Sequence, residues 1–99
     1  MHFEEIEKKV IEWAKERNLL DQTTSLDQYR KLGEEFRELE KGLILGYPKD
    51  IIDAIGDMIV VLTLIAYKYH VSPSVCYDYA YNQIKDRKGK IVNGIFVKE

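Results

Sequence analysis

The sequence predicts an all-α fold, a four-helix bundle ending in a short C-terminal hairpin or extended tail. Three observations predict it. Apolar residues recur at three- and four-residue steps along the first half of the chain. From Ile51 to Ala66 almost every residue is apolar, as in a helix that faces a core on all sides. Gly42, Gly46, Pro48, Ser72-Pro73 and Gly89 fall where helices would stop and restart.

Ninety-nine residues make a single domain, residues 1–99, with no room for two cores. An apolar content of 45% and a charged content of 32% describe a globular chain, not a disordered one. The net charge of −2 gives no general attraction to nucleic acid or to an anionic membrane, so neither is expected as a partner. Cys76 is the only cysteine and has no internal partner, which fits a reducing, cytoplasmic setting. The start, Met-His-Phe-Glu-Glu, lacks the basic-then-apolar pattern of a signal peptide, and the apolar run after Asp57 is shorter than a membrane span.

The first helix is expected over residues 3–18, with Phe3, Ile6, Val10, Trp13 and Leu20 as its apolar stripe and Asn18 as its stop. Asp21 to Ser25 reads as a polar loop. Thr24 or Ser25 can cap the next helix, and Ser25 with Gln28 has capping-box spacing. The second helix runs over 26–45. Tyr29, Phe36 and Leu43, seven apart, with Leu32 and Leu39 between them, predict its packing seam. Gln28, Lys31, Glu35 and Glu38 flank that seam. Asp27, Arg30, Glu34, Arg37 and Lys41 lie opposite it, as on a solvated face. Pro48 opens the third helix, which runs to about His70. Ser72-Pro73 opens the fourth, expected to reach Lys88 and stop at Gly89. Asn93-Gly94 between two short apolar runs is a hairpin signal.

Asp53 and Asp57 stand one turn apart in the apolar third helix. Two buried carboxylates about 6 Å apart repel by roughly 3 kcal/mol at an effective dielectric near 20, so a cation must face them. The short link makes the second and third helices antiparallel neighbours. Glu35 and Glu38 can then converge with Asp53 and Asp57, and four hard oxygen donors suit Mg²⁺, with Mn²⁺ as the other candidate. The rival is a buried network in which a Lys or Arg answers the aspartates. Trp13 reads first as a core residue, and the basic run Lys85, Arg87, Lys88 and Lys90 reads first as a solvated helix end.

Gln28-x-x-Lys31-Leu-x-Glu-Glu-x-x-Glu38-Leu resembles the first motif of the MazG-like all-α nucleoside triphosphate pyrophosphohydrolases, particularly small phage and bacterial members. Asp53-Ala-Ile-Gly-Asp57 with the following apolar run resembles the second motif. Asn82-x-x-Lys85 with the Lys-Gly-Lys-Ile-Val-Asn-Gly-Ile-Phe-Val ending is similar to the C-terminal segment of the small phage-type members. The resemblance covers the chain from Trp13 onward and rests on the order and spacing of the motifs together. It implies the four-helix architecture of all-α NTP pyrophosphatases and Mg²⁺-dependent hydrolysis of a (d)NTP to the monophosphate and pyrophosphate. It also implies metal ligation by Glu35, Glu38 and Asp57, and ribose or phosphate contacts from Asn82 and Lys85. One position departs: the family's Glu-x-x-Asp would put Glu at 54, where this chain has Ala54, and Asp53 is the nearest replacement.

On these residues the expected chemistry is metal-assisted attack of water on the α-phosphorus. Glu35, Glu38, Asp53 and Asp57 would hold the ion, and Glu34 or Glu38 would take the proton. Lys31, Lys85 and Arg87 would offset charge on the departing pyrophosphate, Gln28 would line the site, and Trp13 with Asn18 would hold the base. The apolar surface of the third helix exceeds what one subunit covers, which predicts a homodimer or homotetramer. The alternative from another class is a non-enzymatic helical interaction or regulatory module, its acids forming an ion-pair network or a structural-cation site.

Overall fold

The computed structural model describes residues 1–99 and contains five helices and one two-stranded sheet. They are α1 (Phe3–Glu16), α2 (Leu19–Gln22), α3 (Ser25–Leu45), α4 (Pro48–Lys68), α5 (Pro73–Ile84), β1 (Gly89–Val92) and β2 (Ile95–Lys98). The mainly helical class with a C-terminal antiparallel hairpin is as the sequence predicts. No helix is long and apolar enough to cross a membrane.

Local chemistry explains the boundaries. Asn18, at φ 59°, ends α1, and the expected polar loop instead begins with the single turn α2. The Thr23 hydroxyl donates to the Leu19 carbonyl at 2.6 Å and accepts from the Gln28 amide at 3.0 Å. Lys68 donates to the Thr23 carbonyl, so the link between α1 and α3 is tied to both long helices. The capping box of α3 lies one residue before the expected one. The Thr24 hydroxyl accepts from the Asp27 N–H at 3.0 Å, and the Asp27 carboxylate accepts from the Thr24 N–H at 2.9 Å. The Thr24 N–H, then its hydroxyl, holds the Asp27 carboxyl below its ordinary range.

Gly46, at φ 68°, closes α3 and turns the chain back into α4. The C-terminal end departs from expectation, because α5 stops at Ile84 and Gly89 joins β1 instead of capping a helix. A Cβ on Gly89 would lie 2.1 Å from the Val97 carbonyl oxygen, so only glycine allows that strand approach. Asn93 and Gly94, at φ 52° and 80°, form the two-residue turn that pairs Val92 with Ile95 and Gly89 with Lys98.

Helices α3 and α4 form the principal packing pair, and their seam differs from the predicted one. Buried Gln28, Glu35 and Gly42, with half-buried Leu32 and Leu39, meet buried Ala54 and Val61 and half-buried Ile51, Met58 and Ile65. Leu32 and Leu39 take their expected place, but Tyr29, Phe36 and Leu43 stay 65%, 60% and 60% exposed. The physical reason is backbone approach. A Cβ on Gly42 would lie 3.2 Å from Ile51 and 3.3 Å from Asp50, so the helices close on their small residues and the bulky ladder is left outside.

The sequence also placed α4 inside a core with no wet side. One chain does not achieve this: Ile52, Ile55 and Leu62 are exposed, as are Asp53 and Asp57. Likewise α1 buries Glu7 and Ala14, while Phe3, Ile6 and Trp13 of its expected stripe remain exposed. The radius of gyration is 15.8 Å, against about 13 Å for a compact chain of this length.

Candidate functional site

The contact of Gly42 with Asp50 and Ile51 sets the antiparallel register of α3 and α4. Helical rise then puts Glu35 level with Asp57, and Glu38 level with Ala54. Helical angle puts Glu38 and Lys31 on one flank of the seam and Asp53 and Asp57 on the same flank of the hairpin, toward α1. The other flank is the trough lined by Tyr29, Leu32, Phe36 and Met58. Glu38, Asp53 and Asp57 therefore share one side of the hairpin, and Glu35 lies in the seam beside them.

Their environments differ. The Glu35 side chain is only 12% exposed, and Lys31 Nζ lies 3.5 Å from its Oε1 and 3.1 Å from Glu34 Oε2. The hydrogen bond to Glu34 and that carboxylate's charge, then Glu35, hold the Lys31 ammonium above its ordinary value. Asp53 and Asp57 line a groove of about 420 Å³ between α1 and α4, with Phe3, Ile6, Val10 and Glu7. Asp57 also lines an adjoining groove of about 370 Å³ with Lys9, Val10 and Trp13. A carboxylate and an indole thus share one concave surface. The Arg17 guanidinium stands 4.8 Å from the Trp13 ring centroid.

The donor set is carboxylate oxygen throughout, which suits Mg²⁺ or Mn²⁺, with Glu38, Asp53 and Asp57 on the flank and Glu35 in the seam. No three acidic, histidine or cysteine side chains gather closely enough here to hold a metal ion. The donor chemistry suits such an ion, but the expected convergence of Glu35, Glu38, Asp53 and Asp57 on one point is not met, because Glu35 sits in the seam paired with Lys31. Ala54 is 2% exposed in the seam, so the position where the family pattern has Glu is filled by helix packing.

Other sequence-predicted residues are not brought to this flank. Gln28 is engaged with Thr23. Asn82 on α5 donates to the Asp78 carbonyl at 3.0 Å and to its carboxylate at 3.4 Å. Exposed Lys85 and Arg87 follow it and line neither groove of the acidic set. Asn18, the weaker base contact, is the left-handed link between α1 and α2.

Sequence reasoning missed Glu7. It is 7% exposed, its Oε2 accepts from the Ser74 N–H at 3.2 Å, and its Oε1 is buried without a partner. A carboxylate at the N-terminus of α5 answers unpaired N–H groups and the helix dipole. The available signal was Ser72-Pro73-Ser74, a helix start in need of an acceptor.

No family profile matches the chain. No solved structure matches it either. A phage relative does. The chain is 41% identical over 64 residues to a protein of Haemophilus phage HP1 (strain HP1c1) described as an uncharacterized 18.2 kDa protein in the rep-hol intergenic region. The match takes in 65% of this chain and 39% of the relative, so this chain spans well under two thirds of that protein.

Proposed function

We propose that this chain is a MazG-like nucleoside triphosphate pyrophosphohydrolase, converting a (d)NTP with Mg²⁺ to the monophosphate and pyrophosphate. The observation that supports the reading is that Glu38, Asp53 and Asp57 share the flank of the hairpin toward α1, with Glu35 in the adjoining seam and a groove lined by both Asp57 and Trp13. Those four carboxylates would hold the ion, which when bound supplies charge neutralisation and a more acidic water.

The chain's own groups do the rest. Exposed Glu38, or Glu34 once Lys31 leaves it, accepts the proton of the attacking water. Lys31 moves its ammonium from Glu34 and Glu35 to phosphate oxygen, and this frees Glu35 to turn toward the aspartates. Trp13 shelters the base in the groove that ends at Asp57. Asn82, Lys85 and Arg87 line neither groove and serve phosphate or ribose from a second copy, in a homodimer or homotetramer.

A (d)NTP panel with Mg²⁺ tests this. Pyrophosphate release from at least one member supports it, and no turnover of any member rejects it. One observation favours a non-enzymatic helical module with an ion-pair network: Lys31 already answers Glu34 and Glu35. A melt with Mg²⁺ and a nonhydrolysable dNTP separates the two. Binding to the native state raises the midpoint, and an unchanged midpoint at millimolar concentration favours the module.

A further inference from the structure

The groove of about 420 Å³ between α1 and α4 carries a charge pattern that hydrolysis does not use. Three carboxylates line it, Glu7 from α1 with Asp53 and Asp57 from α4, and no Lys, Arg or His does. None of the three is in an ion pair. Glu7 is only 7% exposed. Its Oε2 accepts from the Ser74 N–H, whereas its Oε1 is buried with no donor. Thr63 lines the same groove, but its hydroxyl donates to the Ile59 carbonyl at 2.7 Å and not to Glu7. A buried acceptor without a partner is costly, and a donor carried in by a ligand removes that cost.

The carboxylates stand at two ends of the groove. Glu7 shares Thr63 with both this groove and the next concavity along α4. Thr63 lies beyond Asp57 by about 9 Å of helical rise. No three acids gather closely enough to hold a metal ion, so one small ion does not answer both ends. Between the ends the walls are apolar, with Ile6 and Val10 facing Ile59 and Val60.

The geometry points to a linear aliphatic diamine or polyamine as the ligand of this groove. One ammonium donates to Glu7 Oε1, the methylene chain lies along Ile6, Val10 and Val60, and a second ammonium meets Asp53 and Asp57. The inference does not rest on nucleotide hydrolysis. Where the chain does hydrolyse nucleotides, the diamine and Mg²⁺ exclude each other at Asp53 and Asp57.

Calorimetric titration of diaminooctane into the full chain, at fixed ionic strength and without nucleotide or Mg²⁺, tests it. Saturable binding is expected. Octylamine, with one ammonium, should bind about tenfold more weakly or less, and so should diaminooctane to Glu7→Gln, which keeps the side chain's shape. No saturable binding at millimolar diamine overturns the inference. Equal affinity for octylamine, or an unchanged affinity in Glu7→Gln, also overturns it. Where Glu7→Gln fails to fold, Asp53→Asn at the exposed end should show the same weakening, and an undiminished affinity there overturns the inference. A chain that releases pyrophosphate but binds no diamine rejects this inference alone. A chain that binds diamine without turning over any (d)NTP rejects only the hydrolase reading.

Discussion

The two flanks of the α3–α4 hairpin come from neighbouring positions on the same helices and carry opposite chemistry. Toward α1 lie Lys31, Glu38, Asp53 and Asp57. Away from it lie Tyr29, Phe36, Leu43, Ile55 and Leu62. The difference teaches why α4 is apolar nearly all round although one chain does not bury it. Its sequence serves an internal seam through Ala54, Val61 and Ile65 and an outer face through Ile55 and Leu62. The carboxylates occupy the strip left between that seam and the α1 contact.

The strongest way to break this comparison is to change one flank and watch the other. Asp57→Asn keeps the side chain's size and removes its charge. It should lower Mg²⁺-dependent pyrophosphate release by about a hundredfold or more while the sedimenting mass is unchanged. A loss of mass would show that the two flanks are not separable.

A change in the seam should weaken both flanks together. A Cβ on Gly42 already meets Ile51 and Asp50 at 3.2–3.3 Å, so Gly42→Val should cost about 1–3 kcal/mol in denaturant unfolding through overpacking. A smaller effect is expected at the helix start, remote from both flanks. Thr24→Ala should cost about 1 kcal/mol by removing the cap.

The cap also makes a pH prediction. The Asp27 carboxyl is held low in the folded chain by Thr24, so its contribution is present above the unfolded value near about 3.9 and is lost as pH falls through the lower folded one. The melting difference between wild type and Asp27→Asn should therefore be full at pH 6 and shrink progressively below about pH 4.

Much of the fold is legible in the residues. Pro48, Ser72-Pro73 and Asn93-Gly94 mark the starts of α4 and α5 and the hairpin turn where the structure has them. The seam is not legible, because the seven-residue spacing of Tyr29, Phe36 and Leu43 marks bulky residues for an inward face that they do not take. Here Gly42 and Ala54 allow close approach, so Gln28 and Glu35 enter the interface and the aromatic ladder leaves it. At the candidate site, helical spacing indicates that Glu38, Asp53 and Asp57 share a flank, while the convergence expected of Glu35 with them is not met because it enters the seam. Residue spacing does not reveal the burial of Glu7 against α5, since that contact joins residues 67 positions apart and depends on how α1 packs on the start of α5.

The account's central claim is tested most directly by phosphorus NMR of the products formed from a (d)NTP and Mg²⁺ by the wild type and Asp57→Asn. The expected result is pyrophosphate with the nucleoside monophosphate from the wild type and almost none from the variant. Orthophosphate in place of pyrophosphate, or undiminished turnover by Asp57→Asn, would contradict it.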